Sequence, residues 1–270
     1  MVGHESSNIS YFSFSGLDAC EKVVSFVTTR GAVVAGDPYS SFNLGEWSGD
    51  DPARVAENRA NLCRELQIPE ENLLTAHQVH GTEVAVIESG FLSSGREARA
   101  EILDGVDAMI TDVPDIVLTV STADCVPVLL FDEEHRAAAA IHAGWRGMSA
   151  HIIPKTIARM TECYGTSPSR LSASVGPSIG FDAFEVGDEV VEAFAAAGFT
   201  VSRIAARHKV SGKYHIDLWA AATDELIGSG IGLDRIEVAG VCTRTHADRF
   251  FSARASGVSS GRFLTGIFMR

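Results

Sequence analysis

Three residues far apart in the chain, His80, Cys125 and His142, are of the types that bind a transition metal or activate a nucleophile. A thiolate with two imidazoles is a borderline-soft donor set suited to Zn²⁺. Three protein ligands also leave the fourth tetrahedral position open, the mark of a catalytic rather than a structural zinc site. The same types make a cysteine nucleophile with a histidine base. Separations of 45 and 17 residues match no short metal signature, so both chemistries stay open on spacing alone. His77 lies three residues before His80. On a strand these two point to opposite faces, which argues against joint ligation.

The elements around these residues explain how they could meet. Val117–Val120 leads into Thr122-Ala-Asp-Cys125, and Val126–Phe131 is an apolar run of strand length. After the charged turn Asp132–Arg136, a second apolar run, Ala137–Ile141, ends at His142 and a compact Ala-Gly-Trp-Arg-Gly turn. Buried strands are apolar on both faces, and their ends are where polar side chains reach a cleft. Cys125 and His142 are thereby expected as neighbours, with Gln78-Val-His80-Gly81 as a polar turn before Thr82–Glu88.

Elsewhere, residues 1–20 read as a loose lead-in with a few anchoring aromatics, and residues 21–270 as one domain. Asp51-Pro52 signals a helix to about Leu66, with Asp as cap, Pro at the first helical position and Val55, Leu62 and Leu66 inward. Gly90–Glu101 is polar and reads as a mobile surface loop. Met148–Tyr164 has helical spacing, with Pro154 kinking it or delaying its start. Short strands are expected at Asp107–Asp112, Ile116–Ser121, Leu171–Val175, Ile236–Val241 and Leu264–Met269, and further helices at Asp188–Ala197 and Ile216–Ile227. The expected fold class is α+β, a single compact domain of mixed β-sheets with outer helices.

A chain of 270 residues buries a substantial core. Its net charge of −13, spread along the sequence, disfavours nucleic acid and anionic membranes as partners. An anionic substrate then needs a local basic pocket. Five scattered cysteines form no CxxC and no disulfide framework, which suits a reducing, cytoplasmic location. No run approaches the ~18 apolar residues of a membrane span, and the N-terminus lacks signal-peptide character.

Two further motifs compete for attention. Gly176-Pro-Ser178-Ile-Gly180 matches the G-x-S-x-G elbow of serine hydrolases and follows a strand. Pro177 removes a backbone donor there, however, and no helix clearly begins after Gly180, so it reads as a decoy. Arg30, Arg146 and Arg262 each sit beside glycine in a turn. Arg146, four residues after His142, is the best placed of them to hold an anion near a metal.

The stretches QVHG (78–81), TADCVPVLL (122–130) and HAGWRG (142–147) resemble the YfiH family. That family is also called laccase-domain, multicopper polyphenol oxidoreductase or peptidoglycan editing factor, and is associated with purine nucleoside phosphorylase activity. The likeness extends over nearly the whole chain, including PYSSFNLG (38–45), DDPARVAENR (50–59) and the terminal SGR (260–262). It implies a YfiH-like α+β unit related to a bacterial-toxin deamidase domain. It also implies a zinc ion on His80, Cys125 and His142. The implied activity is cleavage of adenosine, inosine, guanosine or methylthioadenosine with phosphate as co-substrate, together with deamination of adenosine.

On that footing Arg146 or Arg30 is expected to hold phosphate. Asp124 is expected to act as acid/base or to orient a ligand, and Asn43 to hydrogen-bond in the pocket. The chain departs from the family pattern at Cys242-Thr-Arg244, at FFSARAS (250–256), at Arg30-Gly-Ala-Val-Val and at Ser178. The first three bear on substrate range and phosphate handling, and Ser178 further weakens the serine-elbow reading. Rival readings are a metal-free hydrolase with Cys125 as nucleophile, a copper-dependent polyphenol oxidase, and a binding protein for cell-wall precursors. Only nine histidines, mostly isolated, speak against a multicopper cluster.

Overall fold

The computed structural model describes residues 1–5, 9–257 and 259–270. In chain order its strands begin with β1 (Val2–Glu5), β2 (Ser10–Ser13), β3 (Val23–Thr28), β4 (Leu73–Thr75) and β5 (Val84–Val86). The middle of the chain supplies β6 (Ala108–Thr111), β7 (Val117–Thr122), β8 (Val126–Asp132), β9 (Ala137–Ala143) and β10 (Ser172–Val175). Then follow β11 (Glu185–Val186), β12 (Ala205–Arg207), β13 (Tyr214–Ile216), β14 (Ile236–Val238) and β15 (Phe263–Met269).

Two six-stranded sheets dominate. One runs β1-β2-β3-β15-β7-β4, the other β14-β10-β8-β9-β6-β5, and a small sheet of β11-β13-β12 stands apart. The second sheet has an antiparallel centre, β10-β8-β9-β6, and parallel outer pairs, β14 with β10 and β5 with β6. This is an α+β fold with mixed sheets.

Residue alternation sets the layer order. From β8 and β9, Val126, Val128, Leu130, Ala137, Ala139 and Ile141 pack with the helices Ile152–Tyr164, Asp188–Ala196 and Leu218–Gly228. The alternate residues Leu129, Phe131, Ala138 and Ala140 pack against Val120, Phe263 and Ile267 of the first sheet. The first sheet's outer face, with Phe26, Val117, Leu264 and Phe268, is covered by Leu62, Cys63 and Leu66. These come from the helix Pro52–Leu66, which Asp51 caps by accepting from the Ala53 N–H. Every residue of β8 and of β9 is buried, as expected for strands covered on both faces. Five alanines in β9 leave room for both neighbouring layers.

Two regions differ from the sequence-based expectation. Residues 2–5 and 10–13, inside the expected lead-in, pair with each other and, through β2, with β3. Phe14, one of the anchoring aromatics, and its neighbour Leu17 are fully buried below them. Gly90–Glu101 contains the start of a helix, Arg96–Leu103. None of its residues is buried, so there was no apolar stripe to read, although Arg, Glu, Ala and Leu all favour helix. Pro154 delays a helix rather than kinking it. The chain breaks at His151, which is left-handed with φ 62°, and Pro154 falls in the first turn of Ile152–Tyr164, where no N–H is required of it. Among the described residues, no helix is long and apolar enough to cross a membrane.

Candidate active site

Strand register brings the chemistry together. In the β8–β9 hairpin Val126 pairs with Ala143 and Pro127 with His142, so Cys125, just before β8, lands at the end of β9. On the other side of β9, Ala108 of β6 pairs with Ile141. Asp107, just before β6, therefore lies alongside His142 and accepts its backbone N–H at the Asp107 carbonyl, 2.7 Å. Successive backbone N–H groups of Val79, His80 and Gly81 wrap the Asp107 carboxylate at 3.2, 3.0 and 2.6 Å. Such a nest of amides binds an anion, and here the anion is a buried side chain. Closing it requires His80 to adopt φ 62°, left-handed backbone that is uncommon for residues with a Cβ.

The result is a cluster in which the ligating atoms of His80, Cys125 and His142 all lie within 4.8 Å of one another. The Cys125 Sγ is 3.7 Å from His80 Nε2, and the two imidazoles meet edge to face with centroids 4.8 Å apart. His142 is buried, and its Nδ1 bonds the Asp107 carboxylate at 2.7 Å, leaving Nε2 toward the cluster. Gly144 closes the remaining side. A Cβ there would lie 2.8 Å from His80 Cδ2 and 3.2 Å from the Cys125 sulfur.

Charges reinforce the geometry. Burial pushes the Cys125 thiol up, but the His142 and His80 imidazoles beside it outweigh burial and bring it down to about 6. Burial pulls His142 down, yet the Cys125 thiolate and the Asp107 carboxylate hold it well above the usual imidazole range. Burial also opposes ionisation of Asp107, but His142 and the amides of Gly81 and Val79 keep its carboxyl below its ordinary value. His80, Cys125 and His142 can hold a metal ion, and the opposite shifts of Cys125 and His142 favour a thiolate beside a protonated imidazole.

The cluster opens into a cavity of about 610 Å³ lined by Trp47, His77, Gln78, Asp124, Arg254 and Arg262, among others. Its volume is within the range of small-molecule sites. Arg262 is the half-buried cation of this cavity, its guanidinium pulled below the ordinary range by burial despite the nearby Cys125 and Asp124 charges. Nη1 donates to the carbonyls of Ser260 and Gly261. Among the described residues no carboxylate pairs with it, and Nε and Nη2 are left without a protein acceptor.

The other expected site residues are placed as follows. Asp124 lines the cavity with φ 94° and accepts from Thr243 Oγ1 at 2.6 Å and from the Arg254 N–H at 2.7 Å, so both oxygens are engaged. Asn43 is fully buried, donating to Ser48 and Asp50 and accepting from the N–H groups of Gly45 and Arg262. It braces the wall rather than lining it. Arg30 is buried over Phe251, bonded to Ser40 and the Ala247 carbonyl. Arg146 is exposed and lies over Trp145, 4.3 Å from its ring centroid. Neither arginine is among the cavity's lining residues. His77 faces the cavity but is tied to Asp104 at 2.7 Å, away from the cluster. Ser178 is buried and accepts from Trp219 Nε1 at 2.6 Å, so it stands inside the fold and not at an elbow.

Residues 24–270 match the family described as multi-copper polyphenol oxidoreductase laccase. The chain belongs to that family. It is 44% identical over 270 residues to a purine nucleoside phosphorylase of Bacteroides thetaiotaomicron, covering 100% of this chain and 96% of that protein. It is 41% identical over 250 residues to adenosine deaminase RL5 of an unknown prokaryotic organism, covering 93% and 95% respectively. Among solved structures, YlmD from Geobacillus stearothermophilus superposes with a TM-score of 0.88 at 27% identity, covering 100% of this chain and 99% of that one.

Sequence reasoning singled out the cluster but missed Asp107 as its organiser and Trp47 as part of the wall. For Asp107 the signal was an acid at the head of an apolar strand. For Trp47 it was an aromatic in a Gly- and Ser-rich turn.

Proposed function

We propose that this protein is a zinc-dependent purine nucleoside enzyme. In this reading it cleaves adenosine, inosine, guanosine or methylthioadenosine with phosphate and also deaminates adenosine. The observation that carries it is the convergence of one cysteine sulfur and two imidazoles at the floor of a cavity that also holds an arginine with no ion pair among the described residues. Zinc bonds of ~2.0–2.3 Å put tetrahedral ligands roughly 3.3–3.8 Å apart. The Cys125–His80 separation of 3.7 Å fits this, and the remaining atoms are within 4.8 Å. The His142–Asp107 bond is the carboxylate–histidine arrangement that orients metal-bound imidazoles. Names of relatives such as purine nucleoside phosphorylase and adenosine deaminase support the substrate class.

When bound, zinc supplies Lewis acidity, polarising a purine substituent or lowering the pKa of a water. The chain's own residues do the rest. In phosphorolysis a phosphate oxygen forms a bond to ribose C1′ as the C1′–N9 bond breaks, and the purine leaves with that electron pair and gains a proton. Arg262, a lining residue whose Nε and Nη2 have no protein acceptor among the described residues, holds the phosphate. In deamination the oxygen of a water adds at C6 and ammonia departs, with no need of phosphate. Asp124, with both oxygens engaged, supports an orienting role over proton transfer: it ties the Cys125 turn to Thr243 and Arg254. Asn43 fixes the backbone of Arg262 at 2.8 Å.

Metal analysis of purified protein and incubation with adenosine, with and without phosphate, test the proposal. Stoichiometric zinc, adenine formed only with phosphate, and inosine formed without it are expected. Full activity in metal-free, chelator-treated protein would instead establish a Cys125 hydrolase. Copper with phenol oxidation would establish the activity in the family's description.

A further inference from the structure

We infer that Trp47, backed by His77, is the shelf on which the purine base of the substrate stacks; the inference rests on the nucleoside reading above. Trp47 is 54% exposed, an unusual position for so large an apolar ring, and it lines the cavity that contains the metal-type cluster. Its indole lies 5.1 Å from the His77 imidazole, tilted by 31°. His77 is itself immobilised, by the Asp104 carboxylate on Nδ1 and by backbone bonds with Leu103 and Gly105 on its N–H and carbonyl. The two rings form one continuous aromatic wall.

That wall is held in place before any ligand arrives. Trp47 sits in the turn Gly45–Ser48, where the Ser48 N–H and hydroxyl both donate to the Gly45 carbonyl. Asn43 grips this turn from below, donating to Ser48 Oγ at 2.8 Å and accepting from the Gly45 N–H at 3.1 Å. The same Asn43 oxygen accepts from the Arg262 N–H. One buried amide therefore positions both the aromatic shelf and the anion-binding guanidinium. Purine and phosphate are the two flat or charged ends of the phosphorolysis reactants, and the shelf and the arginine match them in kind. A purine offers a broad π-face and little else that is common to adenosine, inosine and guanosine, so stacking is the contact that all three share.

The test uses the intact zinc-loaded protein with inosine. Trp47→Ala should raise the inosine KM on the order of tenfold, the effect of losing one stacked base, with kcat within about twofold, because stacking is made equally in ground and transition states. Trp47→Phe should restore most of the affinity. Inhibition by ribose 1-phosphate, which has no base, should be unchanged in both variants. In phosphate-free buffer inosine should quench tryptophan emission of the wild type, and Trp47→Phe should lose that quenching. Normal inosine KM in Trp47→Ala overturns the shelf while leaving the nucleoside reading intact, as does a loss that falls equally on ribose 1-phosphate. Failure of the wild-type protein to bind inosine at all overturns both.

Discussion

The two sides of the cavity are built on different principles. On the floor, Cys125, His142 and Asp107 sit at the ends of three adjacent strands, and the pairings Val126–Ala143 and Ala108–Ile141 decide where they meet. A shift of one residue would turn every side chain to the other face, and a strand buried on both faces cannot make that shift. The opposite wall comes mostly from turns: Trp47, Asp124 and Arg262 stand in loops and Arg254 in the short helix Ala253–Ser256, pinned by side-chain bonds, chiefly from Asn43 and Asp124. Rigidity on the floor is inherited from the core, whereas on the wall it rests on a few polar contacts. The floor suits a function that tolerates no displacement, such as holding an ion. The wall suits substrate selection, which changes when loops change.

The contrast breaks most sharply at the floor. His80→Ala, Cys125→Ala and His142→Ala should each abolish stoichiometric metal binding, because three ligands leave none to spare. Asp107→Asn, which keeps the shape but not the charge, should weaken metal binding about 10- to 100-fold, the usual cost of losing a partner that orients a ligand. Asp107→Ala should also destabilise the fold, since it leaves the buried His142 imidazole and three partly buried amide donors without their acceptor. Metal content by elemental analysis and thermal unfolding read these effects. Full metal occupancy in Asp107→Ala would mean that the floor does not depend on its nest.

A pH measurement sharpens the same point. In protein stripped of metal, the neighbouring imidazoles bring the Cys125 thiol down to about 6 against the opposing effect of burial. Lowering of a thiol means that the thiolate is present above that value and is lost as pH falls through it. Iodoacetamide labelling of Cys125 should therefore rise through about pH 6 and level off near neutrality, well before an ordinary cysteine with a pKa of ~8.5 begins to react. His142→Ala should move the midpoint upward. In metallated protein Cys125 should resist labelling at every pH tested, since a coordinated sulfur is poorly available.

How much of this could be read before folding divides along the same line. The trio was legible because its residue types are rare and because each stands at an end of an apolar run, as Cys125 does before Val126–Phe131 and His142 after Ala137–Ile141. The resemblance of QVHG and HAGWRG to one family pointed to the same residues. Asp107 was visible only as the start of a strand, since its role depends on β6 pairing with β9, which local pattern does not reveal. Arg146 drew attention by proximity in sequence to His142, yet the helix Trp145–Ser149 turns its side chain outward, while Arg262 arrives from the far end of the chain. The residues 2–5 and 10–13 were too short and polar to announce strands that an existing sheet edge captures.

On the wall, Arg262→Gln should act selectively. In the proposed reaction its charge-assisted contact to phosphate is worth roughly 1.5–3 kcal/mol, so phosphate-dependent kcat/KM should fall about tenfold or more. Adenosine deamination, which uses no phosphate, should change little. Equal losses in both reactions would show that Arg262 serves the wall as a structural member, in the manner of Asn43.

Arg146→Ala supplies the matching control and the smallest effect. Arg146 is exposed, its guanidinium rests on the Trp145 ring at 4.3 Å, and it is not among the residues lining the cavity. What it can lose is a surface cation–π contact of about 0.5–1 kcal/mol, which concerns the stability of a short helix and not the reactants. Both phosphorolysis and deamination should stay within about twofold of wild type, and the melting temperature should drop by no more than ~2–4 °C. A phosphate-specific loss in Arg146→Ala comparable to that in Arg262→Gln would mean that the floor, through the turn after His142, also handles the anion. The division between an ion-holding floor and a substrate-selecting wall would then have to be given up.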